Sequence, residues 1–409
     1  MISQKSIIRQ SLALSLFVAI CIFNGQRTMA QSPDGFSLGF ADSIHSDILN
    51  EQRALLIYTP YAVNRAREKY PVLYVLDGEN NFRSAAAIVE RLINTGVCPP
   101  MIVVGIPNTN RGRDLTPSAV INNSDGVKDS GGGEKFISFI EMELMPYLES
   151  AYSASTYKLL MGHSLGGLMV IHSLVHHPDL FNAYISIDAA LWWDGHRIIN
   201  ESKVDIPKNN YENKTLFLTI ANRMEPGVDT TAVQADTSAT TELIRYNLDF
   251  LHHVKQYPNN KLRLGYRYYP EDSHGTLSFI STYDALRFVF NYYAFPRYAD
   301  FQTTNPQLVS LIANHYRKVS SHLGYEVLPP ASLVNSLGYR ALSLKQFKIA
   351  KLLFSLNVFN YPEDANLLDS YGDYHIAIGD VENAIIWYRK SLSITETVQT
   401  REKLNSLVR

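Results

Sequence analysis

Between about residues 50 and 295, short dense apolar runs alternate with stretches whose apolar positions recur at helical spacing. The runs at 54–58, 72–76, 101–105, 157–161, 184–187, 216–220 and 262–269 are rich in branched and aromatic residues and are predicted to be strands. Helical segments fall between most of them, as the crossovers of a parallel sheet require. The pattern therefore predicts an α/β fold, a mainly parallel sheet with helices on both faces. One predicted helix spans 134–150, where Phe136, Ile137, Phe139, Ile140, Leu144 and Leu148 form a stripe for packing on a sheet. Pro146 should perturb it. The stretch 108–133 is poor in apolar residues and rich in Asn, Asp, Ser and Gly, and reads as a long surface loop near a substrate entrance.

Past residue 296 the strand signals stop and the pattern becomes helical. Laid on itself, this part repeats: Gly338, Ala350 and Phe354 recur 34 residues later as Gly372, Ala384 and Tyr388, with Pro362 at the turn. Small residues that let paired helices approach, with an aromatic filling the groove, resemble tetratricopeptide repeats. Two copies are few for a free-standing array. The unit is expected to lean on the larger domain or on a helix near 308–323, and less to form an independent peptide-binding groove.

The first thirty residues have a different pattern, with Lys5 and Arg9 before an uncharged run at 11–24 and Thr28-Met29-Ala30 at its close. This predicts a signal peptide over 1–30, a sheet domain over 31–297 and a helical domain with two repeats over 298–409. The apolar run is short for a spanning helix, so the mature chain is expected to be exported, to a periplasm or the medium, with no transmembrane segment. Cys21 lies within the signal; a lipid-attachment reading is disfavoured because Ile20 stands where a small residue is expected. Without Cys21, Cys98 has no cysteine to pair with.

Composition adds mainly exclusions. With 37 basic and 39 acidic residues among 409 and a net charge of -2, the chain lacks the basic excess that a row of phosphates demands, so no nucleic-acid partner is expected.

The candidate chemistry centres on Gly162-His163-Ser164-Leu165-Gly166, which follows a predicted strand and precedes the small, apolar residues of a buried helix. A serine hydroxyl is a weak nucleophile unless it is exposed, aligned with a base and close to amides that can hold an oxyanion. A sharp strand-to-helix turn meets these needs, and flanking glycines relieve its crowding. The base should be a histidine on a loop after the last strand; His274 fits, whereas His172, His176, His177, His252 and His253 sit on predicted helices or their ends and read as packing residues. His163 reads as packing at the turn. The acid should follow the strand at 216–220, which offers Glu225, preferred for its closeness to the strand end, and Asp229 as the alternative; Asp188 is a third choice. Oxyanion donors are expected from the amides of Leu165 and Glu79, the latter in the turn after 72–76 with its side chain facing elsewhere.

These motifs resemble the esterase family that includes enterobactin and bacillibactin esterases, esterase D and several feruloyl esterases. The resemblance covers about residues 36–295. It rests on Tyr70-Pro71-Val72-Leu73-Tyr74-Val75-Leu76-Asp77-Gly78, on Arg113-Asp114-Leu115-Thr116-Pro117, on Gly162 through Gly167, and on Ser186-Ile187-Asp188-Ala189-Ala190-Leu191-Trp192-Trp193. It implies an α/β-hydrolase fold with Ser164 and His274 as nucleophile and base, an acid near Glu225, and ester or thioester hydrolysis without a metal or other cofactor. The chain departs from the family pattern where Asp-Ala-Ala replaces a Ser-Pro-Ser-like run before the paired tryptophans, and where the acid is poorly marked.

Trp192, Trp193 and Arg113 are the candidate substrate-binding residues, although wall packing for the tryptophans and an ion pair with Asp114 for Arg113 are the commoner roles. The expected activity is serine carboxylic-ester hydrolysis through an acyl-enzyme on a small ester, from siderophore to acyl or feruloyl. The alternatives are acyl transfer by the same residues, or a non-catalytic scaffold whose repeats recruit a protein partner.

Overall fold

The computed structural model describes residues 37–60, 69–120, 127, 129–224, 229–296 and 307–408. The predicted signal at 1–30 and the preferred acid Glu225 lie outside them.

Eight strands form one sheet in the order β1-β2-β4-β3-β5-β6-β7-β8. They are β1 (Phe40–Ser46), β2 (Glu51–Tyr58), β3 (Tyr70–Leu76), β4 (Ile102–Ile106), β5 (Ala154–His163), β6 (Ala183–Ile187), β7 (Thr215–Ala221) and β8 (Arg263–Tyr269). β1 and β2 are antiparallel to their neighbours, and all pairings from β4 through β8 are parallel. Every residue of β3, β4, β6 and β7 is buried, which explains why these strands read as continuous apolar runs. β1 was not predicted: it lies at the edge with alternate residues exposed, and its sequence FADSIHS is too polar to announce a strand.

The helices of this part are α1 (Gly78–Asn94), α2 (Arg111–Asp114), α3 (Gly133–Phe139), α4 (Met145–Ala151), α5 (Leu165–His176), α6 (Trp193–Asp205), α7 (Glu242–Lys255) and α8 (Leu277–Val289). α3 and α4 fill the predicted 134–150 helix but are joined by a π-helical turn, Ile140–Leu144, closed by the Met145 amide on the Ile140 carbonyl. Pro146 has no amide to give and its ring would crowd the carbonyl of residue 142, so widening the preceding turn accommodates it without breaking the helix.

The loop at 108–133 is less of a surface loop than its composition suggests. α2 lies within it, and Asp114, Leu115 and Thr116 are fully buried. Gly131 N–H donates to Thr116 Oγ1 (2.8 Å) and Gly133 N–H to the Thr116 carbonyl (3.0 Å), closing the loop on itself.

The remaining helices are α9 (Leu308–Leu323), α10 (Ala331–Ser343), α11 (Phe347–Asn360), α12 (Ala365–Ala377), α13 (Val381–Ile394) and α14 (Val398–Leu407). The 34-residue pattern is physical. A Cβ on Gly338 would lie 2.8 Å from the Phe354 ring and one on Gly372 2.4 Å from the Tyr388 ring, so each glycine lets an aromatic of the paired helix press against its backbone. Asn357 Nδ2 donates to the Ala331 carbonyl (2.9 Å), and at the same place in the second pair Ser391 Oγ donates to the Ala365 carbonyl (2.7 Å). α9 faces the sheet domain: His315 Nε2 bonds the Tyr293 carbonyl (3.0 Å) and His322 stacks on Tyr292 at 4.4 Å. Among the described residues no helix is long and apolar enough to cross a membrane.

Candidate active site

Three strand ends on the carboxyl rim of the sheet carry non-glycine residues in the left-handed region: Asp77 after β3 (φ 53°), Ser164 after β5 (φ 60°, ψ -116°) and Asp188 after β6 (φ 43°). Such conformations cost on the order of 1–3 kcal/mol each and persist only where surrounding structure fixes them.

At Ser164, the amide donates to the Ile187 carbonyl (3.0 Å), and the carbonyl accepts from Leu168 and Ala190 (both 3.0 Å). The residue is thus locked between β6 and the first turn of α5. A Cβ on Gly162 would lie 2.3 Å from the Gly166 backbone, so this tight approach requires glycine. Ser164 is the N-cap of α5, and the Leu165 amide begins the helix with no intrahelical acceptor. Across the same rim α1 starts at Gly78. The amides of Asn80 and Asn81 return to the Asp77 carbonyl, while those of Gly78 and Glu79 precede the helical ladder. The Glu79 carboxylate turns to Asn108, accepting from its Nδ2 (2.8 Å) and its amide (3.2 Å).

His274, on the loop between β8 and α8, is half-buried, and its Nδ1 lies 2.6 Å from Asp188 Oδ2. Asp188 is fully buried; its other oxygen accepts from the Ala221 amide (3.0 Å) and its own amide bonds the Thr219 carbonyl (2.9 Å). The end of β7 thus holds the carboxylate that holds the imidazole, leaving Nε2 of His274 for chemistry. The bond from Asn222 N–H to the Asp272 carbonyl (2.8 Å) and that from Asn222 Nδ2 to the Pro270 carbonyl (2.9 Å) fix the histidine loop.

His163 lies beside this pair, its ring 4.3 Å from that of His274. Burial, reinforced by the neighbouring His274, pulls its pKa down to about 4, so it stays neutral. It belongs to the wall of the site, as expected.

The imidazole's carboxylate partner is therefore Asp188, which the sequence ranked third. Asp229, the alternative acid, is exposed and caps a turn, accepting from the amides of Thr231 and Ala232 (both 2.8 Å).

Of the substrate-binding candidates, Arg113 and Trp193 make the structural contacts expected as their commoner roles. Arg113 is committed to an ion-pair cluster, with Nη2 2.6 Å from Glu51 Oε1 and Nε 2.7 Å from Asp114 Oδ1. Asp114 also pairs with the fully buried Arg53 at 2.7 Å. Arg113 holds the Glu51 carboxyl at about 2, with Arg53 assisting against the opposing effect of burial. This cluster pins the loop to β2. Trp193 is buried and donates its indole N–H to the Ser118 carbonyl (3.1 Å), and Trp192 is half-buried beside it at 5.8 Å. Trp193 is thus wall packing.

The cation that does reach the site is Arg111, which sequence reasoning missed. It makes a two-pronged contact with Asp77, Nε to Oδ1 at 2.7 Å and Nη2 to Oδ2 at 3.0 Å. It lines a cavity of ≈ 420 Å³ shared with Asn80, Ser84, His163, Ser278 and Phe279. Nothing in its sequence context distinguishes it from Arg113, two residues away.

The sheet order, the strained serine turn and the histidine held by a rim carboxylate define an α/β-hydrolase. The chain belongs to the family described as "Putative esterase", whose profile matches residues 46–272, more than half of it. It is 32% identical over 168 residues to the ferri-bacillibactin esterase BesA of Bacillus subtilis, covering 36% of this chain and 58% of that protein. To the siderophore triacetylfusarinine C esterase of Aspergillus fumigatus it is 27% identical, covering 34% of this chain and 50% of that one. The chain thus spans little more than half the length of these relatives. Among solved structures, an IroE-like serine hydrolase from Shewanella oneidensis superposes with a TM-score of 0.66 at 28% identity, over 78% of this chain and 98% of that one.

Proposed function

We propose that the protein is a serine carboxylic-ester hydrolase with Ser164 as nucleophile, His274 as base and Asp188 as the acid. The observation that carries this reading is the His274–Asp188 bond of 2.6 Å, with the strained Ser164 turn held by its amide on the carbonyl of Ile187, the residue before Asp188. His274 Nε2 takes the Ser164 proton as Oγ attacks the ester carbonyl carbon. The amides of Leu165 and Glu79 hold the oxyanion. Collapse breaks the C–O bond, and the leaving alcohol takes the proton from His274; water, activated by the same nitrogen, then releases the acid and frees Ser164. Asp188 keeps the proton of the resting imidazole on Nδ1 and offsets the charge that forms on the ring.

The substrate class we propose is a polar, oxygen-rich ester of the siderophore type. The names of the relatives support it, and so does the polar lining that Arg111, Asn80 and Ser84 give the cavity beside His163. Export through the predicted 1–30 segment and a tetratricopeptide-like character for the helical pairs, with their surface open to a protein partner, complete the proposal. The test is covalent labelling by a fluorophosphonate together with turnover of an ester panel that includes catecholate and hydroxamate siderophores. The native chain should label and hydrolyse, and Ser164→Ala should do neither. Labelling that survives the substitution removes Ser164 from the mechanism.

A further inference from the structure

The three histidines His172, His176 and His177, which the sequence marks only as packing residues, converge with two carboxylates at the far end of α5 from Ser164. Glu134, in the first turn of α3, places Oε1 2.5 Å from His172 Nε2 and Oε2 3.0 Å from His177 Nε2. Across His172, whose ring lies 4.6 Å from that of His176, His176 Nε2 is 3.0 Å from Glu201 Oε2. In each of the triplets Glu134–His172–His177 and His172–His176–Glu201, one donor atom per residue lies within 4.8 Å of the others. The His172 side chain is only 7% exposed, and its Nδ1 is buried with no hydrogen-bond partner among the described residues.

We propose that Glu134, His172 and His177 form a binding site for a divalent transition ion, Zn²⁺ in the first instance, separate from the candidate active site. Two imidazoles and one carboxylate are a borderline donor set that suits Zn²⁺ over Mg²⁺ or Ca²⁺. Bonds of about 2.0–2.1 Å to a tetrahedral ion set donors roughly 3.3 Å apart. The present separations of 2.5 and 3.0 Å are shorter than that spacing, so binding would move the groups apart, the ion replacing the two hydrogen bonds that now draw them together. The other triplet is the poorer host, because Arg197 Nε already holds Glu201 Oε1 at 2.7 Å and neutralises it. The fourth coordination position falls to water.

The site would act on structure and not on the reaction: His172 stands roughly 10 Å along the helix axis from Leu165 at a rise of 1.5 Å per residue. A bound ion would tie the residue that follows the 108–133 loop to the helix that Ser164 caps. None of this depends on the esterase assignment.

The test uses the full chain, stripped with a chelator, and Zn²⁺ alone, measured by competition with a chromophoric chelator and by the shift in Tm. The native chain should take up one equivalent tightly and melt higher with Zn²⁺. Glu134→Gln and His177→Ala, both at partly exposed positions, should each weaken binding at least tenfold and lose the Tm gain, while Glu201→Gln and His274→Ala retain both. Uptake no greater than that of the Glu134→Gln/His177→Ala double variant overturns the proposal, as does binding lost in Glu201→Gln or His274→Ala but kept in Glu134→Gln.

Discussion

Asp188 and His163 show how much a single position can decide. If Asp188 sets the tautomer of His274, then Asp188→Asn should reduce kcat by about 10³–10⁴ while the fold survives, because the amide leaves the shape intact but can present a donor to Nδ1. Asp229→Asn, at a turn cap, should stay within a few-fold of the native rate, and a steady-state comparison that includes Glu225→Gln decides among the three. Equal losses at 188 and 225 would remove the unique role of Asp188. His163 makes a different prediction. Its folded pKa of about 4 lies below the ordinary 6.5, so the native state resists a proton that the unfolded chain accepts. That contribution is fully present above pH 6.5 and is lost as the pH falls toward about 4. Urea unfolding should therefore show stability falling through that window, and His163→Gln should flatten the decline; an unchanged slope would mean that burial of this ring does not govern it. The serine turn was legible because its motif is local, whereas His274 was picked out by its place after the last predicted strand. The carboxylate that bonds His274 was obscured by an assumption about strand order: Asp188 follows β6, in the Asp-Ala-Ala run that departs from the family pattern. Arg111 and Arg113 are locally indistinguishable, and only the tertiary placement of Glu51 and Asp77 separates their roles.

At the scale of elements, burial determined what could be read. Strands covered on both faces announce themselves as apolar runs, and all those predicted are present; β1, half-exposed at the sheet edge, left no such trace. The π turn before Pro146 was likewise invisible, since the apolar stripe fixes the face of a helix and not its winding. The two glycines of the serine turn are unequal in a way that spacing does not reveal. At Gly162 an added Cβ meets backbone at 2.3 Å, but at Gly166 the nearest atoms are 3.4 Å away, an ordinary contact. Gly162→Ala should thus cost several kcal/mol or prevent folding, whereas Gly166→Ala should cost about 1 kcal/mol or less and keep fluorophosphonate labelling. Chemical denaturation of both variants tests this, and equal destabilisation would mean that the turn is not limited by that approach.

For the whole molecule, the question is whether the sheet domain and the helical pairs unfold as one. The contact runs through α9, where Tyr316, only 3% exposed, meets Tyr293 edge-on at 6.5 Å and stacks on Phe295 at 6.4 Å, beside the His315 bond to the Tyr293 carbonyl. Tyr293 and Phe295 close the sheet domain's own chain, so Tyr316 serves two cores. Removing its ring should cost about 3 kcal/mol, in the range for large-to-small changes of aromatic residues, and the loss falls on the seam between the two parts. Two helical pairs have little capacity to stand alone, whereas the eight-stranded sheet has an extensive core of its own. Calorimetry should therefore record one transition for the native chain and two for Tyr316→Ala, the lower one carrying the helical ellipticity of the repeats while Ser164 still labels. A single transition displaced to lower temperature, with labelling lost along it, would show instead that the helical pairs are an integral part of the hydrolase core.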